Sequence, residues 1–224
     1  MTFSIVARCE KTGMFGLAVS SSSPAVAARC VYAEAGVGAV ASQNVTDPTL
    51  GPRGLALMKD GASAQETIEK LKSSCPHMEY RQVLAVDING TTAIHSGAHA
   101  LGICAEASGR NVACAGNLLA APDVAQAMIA AFEASSGHLG DRLIIVMQAA
   151  IKAGGEAGPV HSAGLKMVHE VPWPIADLRV DWTEDDPIED LAALWDLYKP
   201  QLDDYVTRAI NPSAAPSYGV PGDK

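Results

Sequence analysis

Residues 2–20 decide the fold class at the very start of the chain, and they read Thr2-Phe3-Ser4-Ile5-Val6-Ala7-Arg8-Cys9-Glu10-Lys11-Thr12-Gly13-Met14-Phe15-Gly16-Leu17-Ala18-Val19-Ser20. Two short apolar runs, 2–9 and 14–20, are separated by the polar stretch 10–13. β-prone runs joined by a four-residue turn that contains glycine predict a β-hairpin. The chain is therefore expected to enter an antiparallel sheet at its second residue.

The rest of the chain continues this pattern. Residues 81–88 and 91–96 flank Asn89-Gly90, the strongest short-range signal for a hairpin. Further strands are expected at 26–32, 36–43, 111–115, 161–170 and 175–182, and helices at 52–59, 63–74, 123–135, 140–153 and 188–210. Hairpins between strands and helices in adjacent pairs favour helical layers outside stacked sheets. The predicted fold is α+β, a four-layer α/β/β/α sandwich of two antiparallel sheets.

Length and composition restrict the function classes. The 224 residues predict a single domain over residues 1–210, followed by a Pro/Gly/Ser-rich tail, 211–224, that we expect to be flexible. A net charge of −9 argues against nucleic acid and anionic membrane as partners. No signal peptide or membrane span is recognised, and the five scattered cysteines predict reduced thiols, so a cytoplasmic location is expected.

Thr2 is the candidate nucleophile. A small residue after the initiator methionine permits removal of Met1, which would leave Thr2 at the N-terminus. An N-terminal threonine carries nucleophile and base together, because its hydroxyl attacks and its own α-amine takes the proton. That amine ordinarily has a pKa of about 7.7–8.0, so much of it is neutral near physiological pH. The alternative is an ordinary strand residue behind a retained methionine.

Several further stretches carry a resemblance to a known family, and they occur in order over most of the chain: 2–8, 33–43, 51–55, 80–83, 95–97, 116–119, 154–155 and 162–163. In these residues the chain resembles the bacterial domain-of-unknown-function family 1028 (DUF1028), which is grouped with the N-terminal-nucleophile (Ntn) hydrolases. The resemblance implies an Ntn-hydrolase-like sandwich. It also implies an Ntn-type amidohydrolase that cleaves a small amide, peptide or N-acyl bond through Thr2. We therefore expect a protein that requires no cofactor or metal, acts on a small-molecule or short-peptide substrate, and forms a homodimer or higher homo-oligomer.

Oxyanion stabilisation in such an enzyme needs preorganised neutral donors. Asn117, after a small-residue strand and a glycine, is the best candidate donor, and Gln43, at the end of the strand 36–43, is the second. Each has a plain structural alternative, a turn or cap for Asn117 and an exposed strand end for Gln43. With Thr2 they form the predicted catalytic set.

Four residues are candidates for substrate binding, namely Ser22, Arg53, Arg81 and His161. Ser22 belongs to a serine run that follows the second strand. The two arginines could bind a substrate carboxylate in bidentate fashion, although a structural salt bridge is the alternative for each. His161 titrates near neutrality and could act as acid or base.

The segment Glu156–His161 departs from the family pattern, in which an aspartate and a basic residue follow the paired glycines. This change falls where a substrate pocket could be lined. Together with retention of Met1, which would leave Thr2 without a free amine, it favours the alternative of a non-catalytic Ntn-fold protein that binds a ligand or serves in an assembly.

Overall fold

A computed structural model describes residues 1–220. The strands are β1 Thr2–Arg8, β2 Phe15–Ser21, β3 Val31–Glu34, β4 Gly38–Asn44, β5 Arg81–Asp87, β6 Thr92–Ser96, β7 Ala105–Gly109, β8 Val112–Asn117, β9 Ser162–Val168 and β10 Ala176–Val180. The α-helices are α1 Ala27–Cys30, α2 Leu50–Lys59, α3 Ala64–Ser74, α4 Val124–Ala134, α5 Leu139–Lys152, α6 Pro187–Tyr198 and α7 Leu202–Ile210.

The strands form two sheets in which every pairing is antiparallel. A six-stranded sheet has the order β10-β9-β2-β1-β8-β7, and a four-stranded sheet has the order β3-β4-β5-β6. The predicted hairpin between β1 and β2 is confirmed, with Phe3 opposite Ser20 and Arg8 opposite Phe15. The Asn89-Gly90 hairpin is also confirmed as the connection between β5 and β6. Strand β1 lies inside the large sheet, between β2 and β8.

Three apolar cores hold neighbouring layers together. The first joins one face of the six-stranded sheet to helices α4, α5 and α6, with Phe3 and Met128 among its residues. The second lies between the two sheets and includes Val6 and Leu84. The third joins the four-stranded sheet to helices α2 and α3, through Val40 and Leu71 for example. The four-layer α/β/β/α sandwich expected from the sequence is therefore confirmed.

Three elements differ from the sequence expectation. The expected last helix over 188–210 is divided into α6 and α7 by a 3-10 turn, Lys199–Gln201, that contains Pro200. Proline has no backbone N–H and its ring clashes with the preceding turn, so a helix cannot run straight through it. The stretch expected as a strand over 26–32 begins instead as the short helix α1. Strand β7 was not expected, because its sequence Ala-Glu-Ala-Ser-Gly lacks β-branched and aromatic residues.

The C-terminal stretch contains a 3-10 turn, Pro212–Ala214, and the carbonyl of Pro216 accepts a hydrogen bond from Arg208 Nη2 of α7 (3.0 Å). The last part of the predicted flexible tail, residues 221–224, lies outside the described residues. Within residues 1–220, no helix is both long and apolar enough to cross a membrane.

Candidate functional site

The layer between the two sheets changes from apolar to polar at one end. Along β1, Val6 points into the core between the sheets, while Phe3 and Ile5 point toward the helices. Side chains alternate along a strand, so Thr2 and Ser4 share the face of Val6. The same alternation places at this end the last inward-facing residue of β2, β8 and β4 and the first of β5. These residues are Ser21, Asn117, Gln43 and Gln82. All of these side chains are buried.

Thr2 lies beside Ser21 at this polar end. Cys9 N donates to Met14 O (2.8 Å), and alternation along the β1–β2 ladder makes Thr2 and Ser21 a non-hydrogen-bonded pair. Side chains approach most closely in such pairs, and Thr2 Oγ1 lies 3.4 Å from Ser21 Oγ. Both hydroxyls also donate to the carbonyl oxygen of Met1. The candidate nucleophile therefore already contacts a carbonyl group together with a second hydroxyl donor.

Ser21 is linked by hydrogen bonds to Ser23 and, through Ser23, to Arg29. Arg29 Nη2 donates to Ser23 Oγ (2.7 Å), and Ser23 Oγ lies 2.8 Å from Ser21 Oγ. Because the single Ser21 hydroxyl proton goes to Met1 O, Ser21 Oγ must be the acceptor from Ser23. The guanidinium thus fixes the direction of these hydrogen bonds toward the Met1 carbonyl.

Gln43 and Gln82 form a buried amide pair across the two sheets. Ser4 Oγ donates to Gln43 Oε1 (2.7 Å), and Gln43 Nε2 donates to Gln82 Oε1 (2.7 Å) and to the carbonyl of Ala115 (3.2 Å). Gln82 Nε2 donates to the carbonyl of Gly116 (3.1 Å). Backbone carbonyls can only accept, so these two contacts settle which end of each amide is nitrogen.

This orientation determines what Asn117 offers. Gln82 Oε1 must accept, so Asn117 faces it with its amide nitrogen, at 3.2 Å from Nδ2 to Oε1. The other atom, Asn117 Oδ1, is buried without a hydrogen-bond partner. The contact with Gln82 uses one of the two N–H groups of Nδ2, so Asn117 keeps a second donor, whereas the atom without any partner is an acceptor.

Glu156 brings a buried carboxyl to the same end of the molecule. It follows the Gly154-Gly155 turn, is 5% exposed, and accepts from the backbone N–H of Ser22 with both oxygens (3.2 Å each). Burial raises the pKa of this carboxyl from 4.5 to about 7, opposed by the nearby positive N-terminus and by the Ser22 hydrogen bonds. Glu156 therefore titrates near neutral pH beside the N-terminus of the chain.

The four residues predicted to bind substrate occupy different places. Ser22 is half-buried and contributes its backbone N–H to Glu156. His161 is half-buried, bonds through Nδ1 to the carbonyl of Thr183 (2.8 Å), and stacks on Trp182 at 4.3 Å between ring centroids. Its backbone N–H donates to Ser21 O (2.9 Å) and so helps to hold the end of β2 that lies next to Thr2.

Arg53 and Arg81 lie on the four-stranded-sheet side of the molecule. Arg53 is exposed on α2 and donates to Ser74 Oγ (3.3 Å). Arg81 begins β5 and donates through Nη1 to the carbonyl of Val45. Burial raises the pKa of Asp47, but the hydrogen bonds from Thr49 and the charges of Arg81 and Arg53 together hold it below its usual value. The structure brings them together around Asp47 and not around Thr2.

Sequence reasoning gave no role to Gln82, and it did not single out Ser21 within the serine run or Glu156 within the segment Glu156–His161. Register alone identifies Ser21, since it is the residue opposite Thr2 when the hairpin is extended by one pair. Gln82 and Glu156 come from distant parts of the chain. The stacking of the two sheets brings Gln82 to the polar end, and a bridge to Leu119, just after β8, places Glu156 there. Within residues 1–220, no cluster of three or more His, Cys, Asp or Glu side chains is placed to hold a metal ion.

Comparison with known proteins settles the family. Residues 2–191 match the profile of DUF1028, a family of unknown function. The chain belongs to the DUF1028 family. Protein SPO2555 from Silicibacter pomeroyi, a solved structure assigned to DUF1028, is 29% identical to this DUF1028 chain. The match has a TM-score of 0.82 and covers 88% of this chain and 89% of that one.

A second solved structure, Anbu (ancestral beta-subunit) from Yersinia bercovieri, is 11% identical to this DUF1028 chain, with a TM-score of 0.38. The match covers 91% of this chain and 97% of that one. No curated protein matches the chain.

Proposed function

We propose that this DUF1028 protein is an Ntn-type amidohydrolase that cleaves a small amide, peptide or N-acyl bond with Thr2 as nucleophile, after removal of Met1. One observation carries the proposal. The Thr2 hydroxyl is buried at the polar end between the sheets and already contacts a carbonyl, that of Met1, to which Ser21 also donates. Once Met1 is removed, a substrate carbonyl that approaches Thr2 Oγ1 from this side would meet both a nucleophile and a hydrogen-bond donor.

The chemistry follows from these groups. Once Met1 is removed, the neutral α-amine of Thr2 takes the hydroxyl proton while Oγ1 attacks the substrate carbonyl carbon. Ser21 Oγ donates to the oxygen that becomes negative, with Ser23 and Arg29 holding its direction. The ammonium then returns the proton to the leaving nitrogen as the C–N bond breaks, which leaves an ester on Thr2. Water, deprotonated by the same amine, hydrolyses the ester and restores the hydroxyl.

The space for a substrate lies beside Met1 and Glu156. A cavity of about 330 Å³ is lined by Glu156, Gly158 and Asp186 among others. The methyl group of Met1 lies 3.7 Å from where a Cβ on Gly158 would be. Removal of Met1 would free the space that its side chain occupies beside Gly158. Homo-oligomerisation stays a prediction, and the proposed site needs no residue from a second copy.

The non-catalytic alternative also has a specific observation in its favour. While Met1 is present, its carbonyl occupies the Thr2 and Ser21 hydroxyls, and the Thr2 nitrogen is part of a peptide bond. An amide nitrogen cannot act as the base, so a chain that keeps Met1 would bind a ligand or take part in an assembly without turnover.

Two measurements test the proposal. Intact-mass analysis of protein purified from its native host should show loss of Met1. A β-lactone probe should then add covalently to the processed protein, with the adduct mapped to Thr2. Thr2→Ala should abolish labelling, whereas Thr12→Ala, a change at an exposed turn threonine, should not. Quantitative retention of Met1, or equal labelling of Thr2→Ala, would reject the Thr2 mechanism.

A further inference from the structure

The unpartnered oxygen of Asn117 is the feature that calls for a donor. Asn117 is fully buried and its Oδ1 has no hydrogen-bond partner. Leaving such an acceptor unpaired in a folded protein is unfavourable, which is why nearly all buried polar atoms are paired. Reversing the amide would not resolve this, because Gln82 Oε1 would then face an oxygen. The Gly116 carbonyl prevents Gln82 from turning around.

The Thr2 nitrogen is placed to provide that donor. Thr2 and Asn117 are directly opposite each other in the β1–β8 register. Arg8 N donates to Asn111 O (2.8 Å), and hydrogen-bonded pairs recur at every second position of an antiparallel ladder. The Thr2–Asn117 pair is in phase with the Arg8–Asn111 pair, so the Thr2 nitrogen faces β8. With Met1 attached, this nitrogen carries a single N–H, which the β1–β8 ladder directs to the backbone carbonyl of Asn117.

Removal of Met1 changes the number of donors at this position. A peptide nitrogen has one N–H, whereas a free α-amine has two and an ammonium has three. The freed nitrogen is also no longer fixed in a peptide plane and can turn toward the neighbouring side chain. It therefore gains the donors that Asn117 Oδ1 lacks, within the same cross-strand pair.

We propose that Asn117 is the positioning residue for the Thr2 α-amino group, which it receives on Oδ1 only after Met1 has been removed. Asn117 does not touch the reacting carbonyl in this role. Its Nδ2 is held by Gln82, its Oδ1 is held in place as a consequence, and the amine is oriented toward the Thr2 hydroxyl. The proposal rests on the proposed function for the purpose of this orientation, but the contact itself can be measured without any substrate.

The test compares two N-termini in two backgrounds. A cleavable N-terminal fusion yields full-length protein that begins either at Met1 or at Thr2, and each form is made with the natural Asn117 and as the Asn117→Leu variant. The leucine side chain keeps the approximate shape but accepts no hydrogen bond. The Asn117→Leu variant also loses the contact with Gln82, but it does so in both N-terminal forms. We therefore compare the change in Tm on Met1 removal between the two backgrounds, by subtracting the change in Asn117→Leu from the change in the natural protein. We expect this difference to be about 2–4 °C in favour of Asn117.

Two further arms identify the donor. Thr2→Val, in both N-terminal forms, removes the hydroxyl and keeps the amine, so the coupling with Asn117 should persist if the amine is the donor. The pKa of the Thr2 amine, measured from the pH dependence of its acylation by an amine reagent, should fall in Asn117→Leu, because an acceptor favours the charged form. The carboxyl of Glu156 and the thiol of Cys30, both close enough to the N-terminus to be influenced by its charge, are common to all variants.

A Tm difference near zero, or a coupling that disappears in Thr2→Val, would overturn the proposal. The outcome is separate from that of the lactone experiment. A protein that shows the Asn117 coupling but no labelling would retain the amine contact without the amidohydrolase activity. Labelling of Thr2 without the coupling would reject the role proposed for Asn117 and leave the proposed amidohydrolase activity standing.

Discussion

Replacement of Glu156 by glutamine should change the pH dependence of stability in a predictable way. The Glu156 carboxyl is 5% exposed, and burial raises its pKa from 4.5 to about 7. A carboxyl whose pKa is raised by folding binds more protons in the folded than in the unfolded state between these two values. Stability therefore falls as the pH rises from about 4.5 to about 7, and the full penalty is present above that range.

The size of the effect follows from the shift. A change of one pKa unit corresponds to about 1.4 kcal/mol, so the shift of Glu156 amounts to about 3 kcal/mol. Glutamine has nearly the same shape and its Oε1 can still accept from Ser22 N–H, but it does not ionise. The stability of Glu156→Gln relative to the natural chain should therefore increase by about 3 kcal/mol between about pH 4.5 and about pH 8.

Urea unfolding at a series of pH values measures this difference, with Met1 present in both proteins so that the charged N-terminus is the same. Glu106→Gln, at an exposed position on β7, controls for the loss of one carboxyl from the surface. If the difference in the free energy of unfolding between Glu156→Gln and the natural chain stayed constant with pH to within about 0.5 kcal/mol, burial would not raise the pKa of Glu156 as assigned.

Two further predictions concern Gln82, which positions the site, and Ser63, which caps helix α3 in an outer layer. Gln82→Leu removes all four hydrogen bonds of the central amide and should destabilise the protein by about 3 kcal/mol or more in urea unfolding, while Gln148→Ala, with one exposed contact, should cost less than about 1 kcal/mol. Ser63→Ala removes the hydroxyl that accepts from Glu66 N at the start of α3, and it should lower the free energy of unfolding by about 1 kcal/mol. Ser73→Ala, within the same helix, should lower it by almost nothing. Equal losses of stability would contradict the capping box.

The local elements were largely predictable because their signals are local. Asn89-Gly90 specifies a hairpin turn wherever it lies between β-prone runs, and the Ser63–Glu66 spacing specifies a helix start, since both depend on hydrogen bonds within a few residues. Strand β7 was missed for the opposite reason. Its composition has little strand preference, and it exists because it pairs along β8.

The sequence by itself determined that Thr2 is the first residue of a strand in an antiparallel sheet, because apolar runs and turn residues lie close together in the sequence. Only the tertiary structure decided what surrounds that threonine. Ser21 comes from the next strand, Gln82 from the facing sheet and Glu156 from a turn more than 150 residues away. The approach of Gln82 depends on the stacking of the two sheets, which is set by burial of the core between them and has no short-range signature. Glu156 is placed by its bridge to Leu119, just after β8. The direction of the Asn117 amide depends in turn on two backbone carbonyls of β8, and so the free acceptor beside Thr2 is visible only in three dimensions.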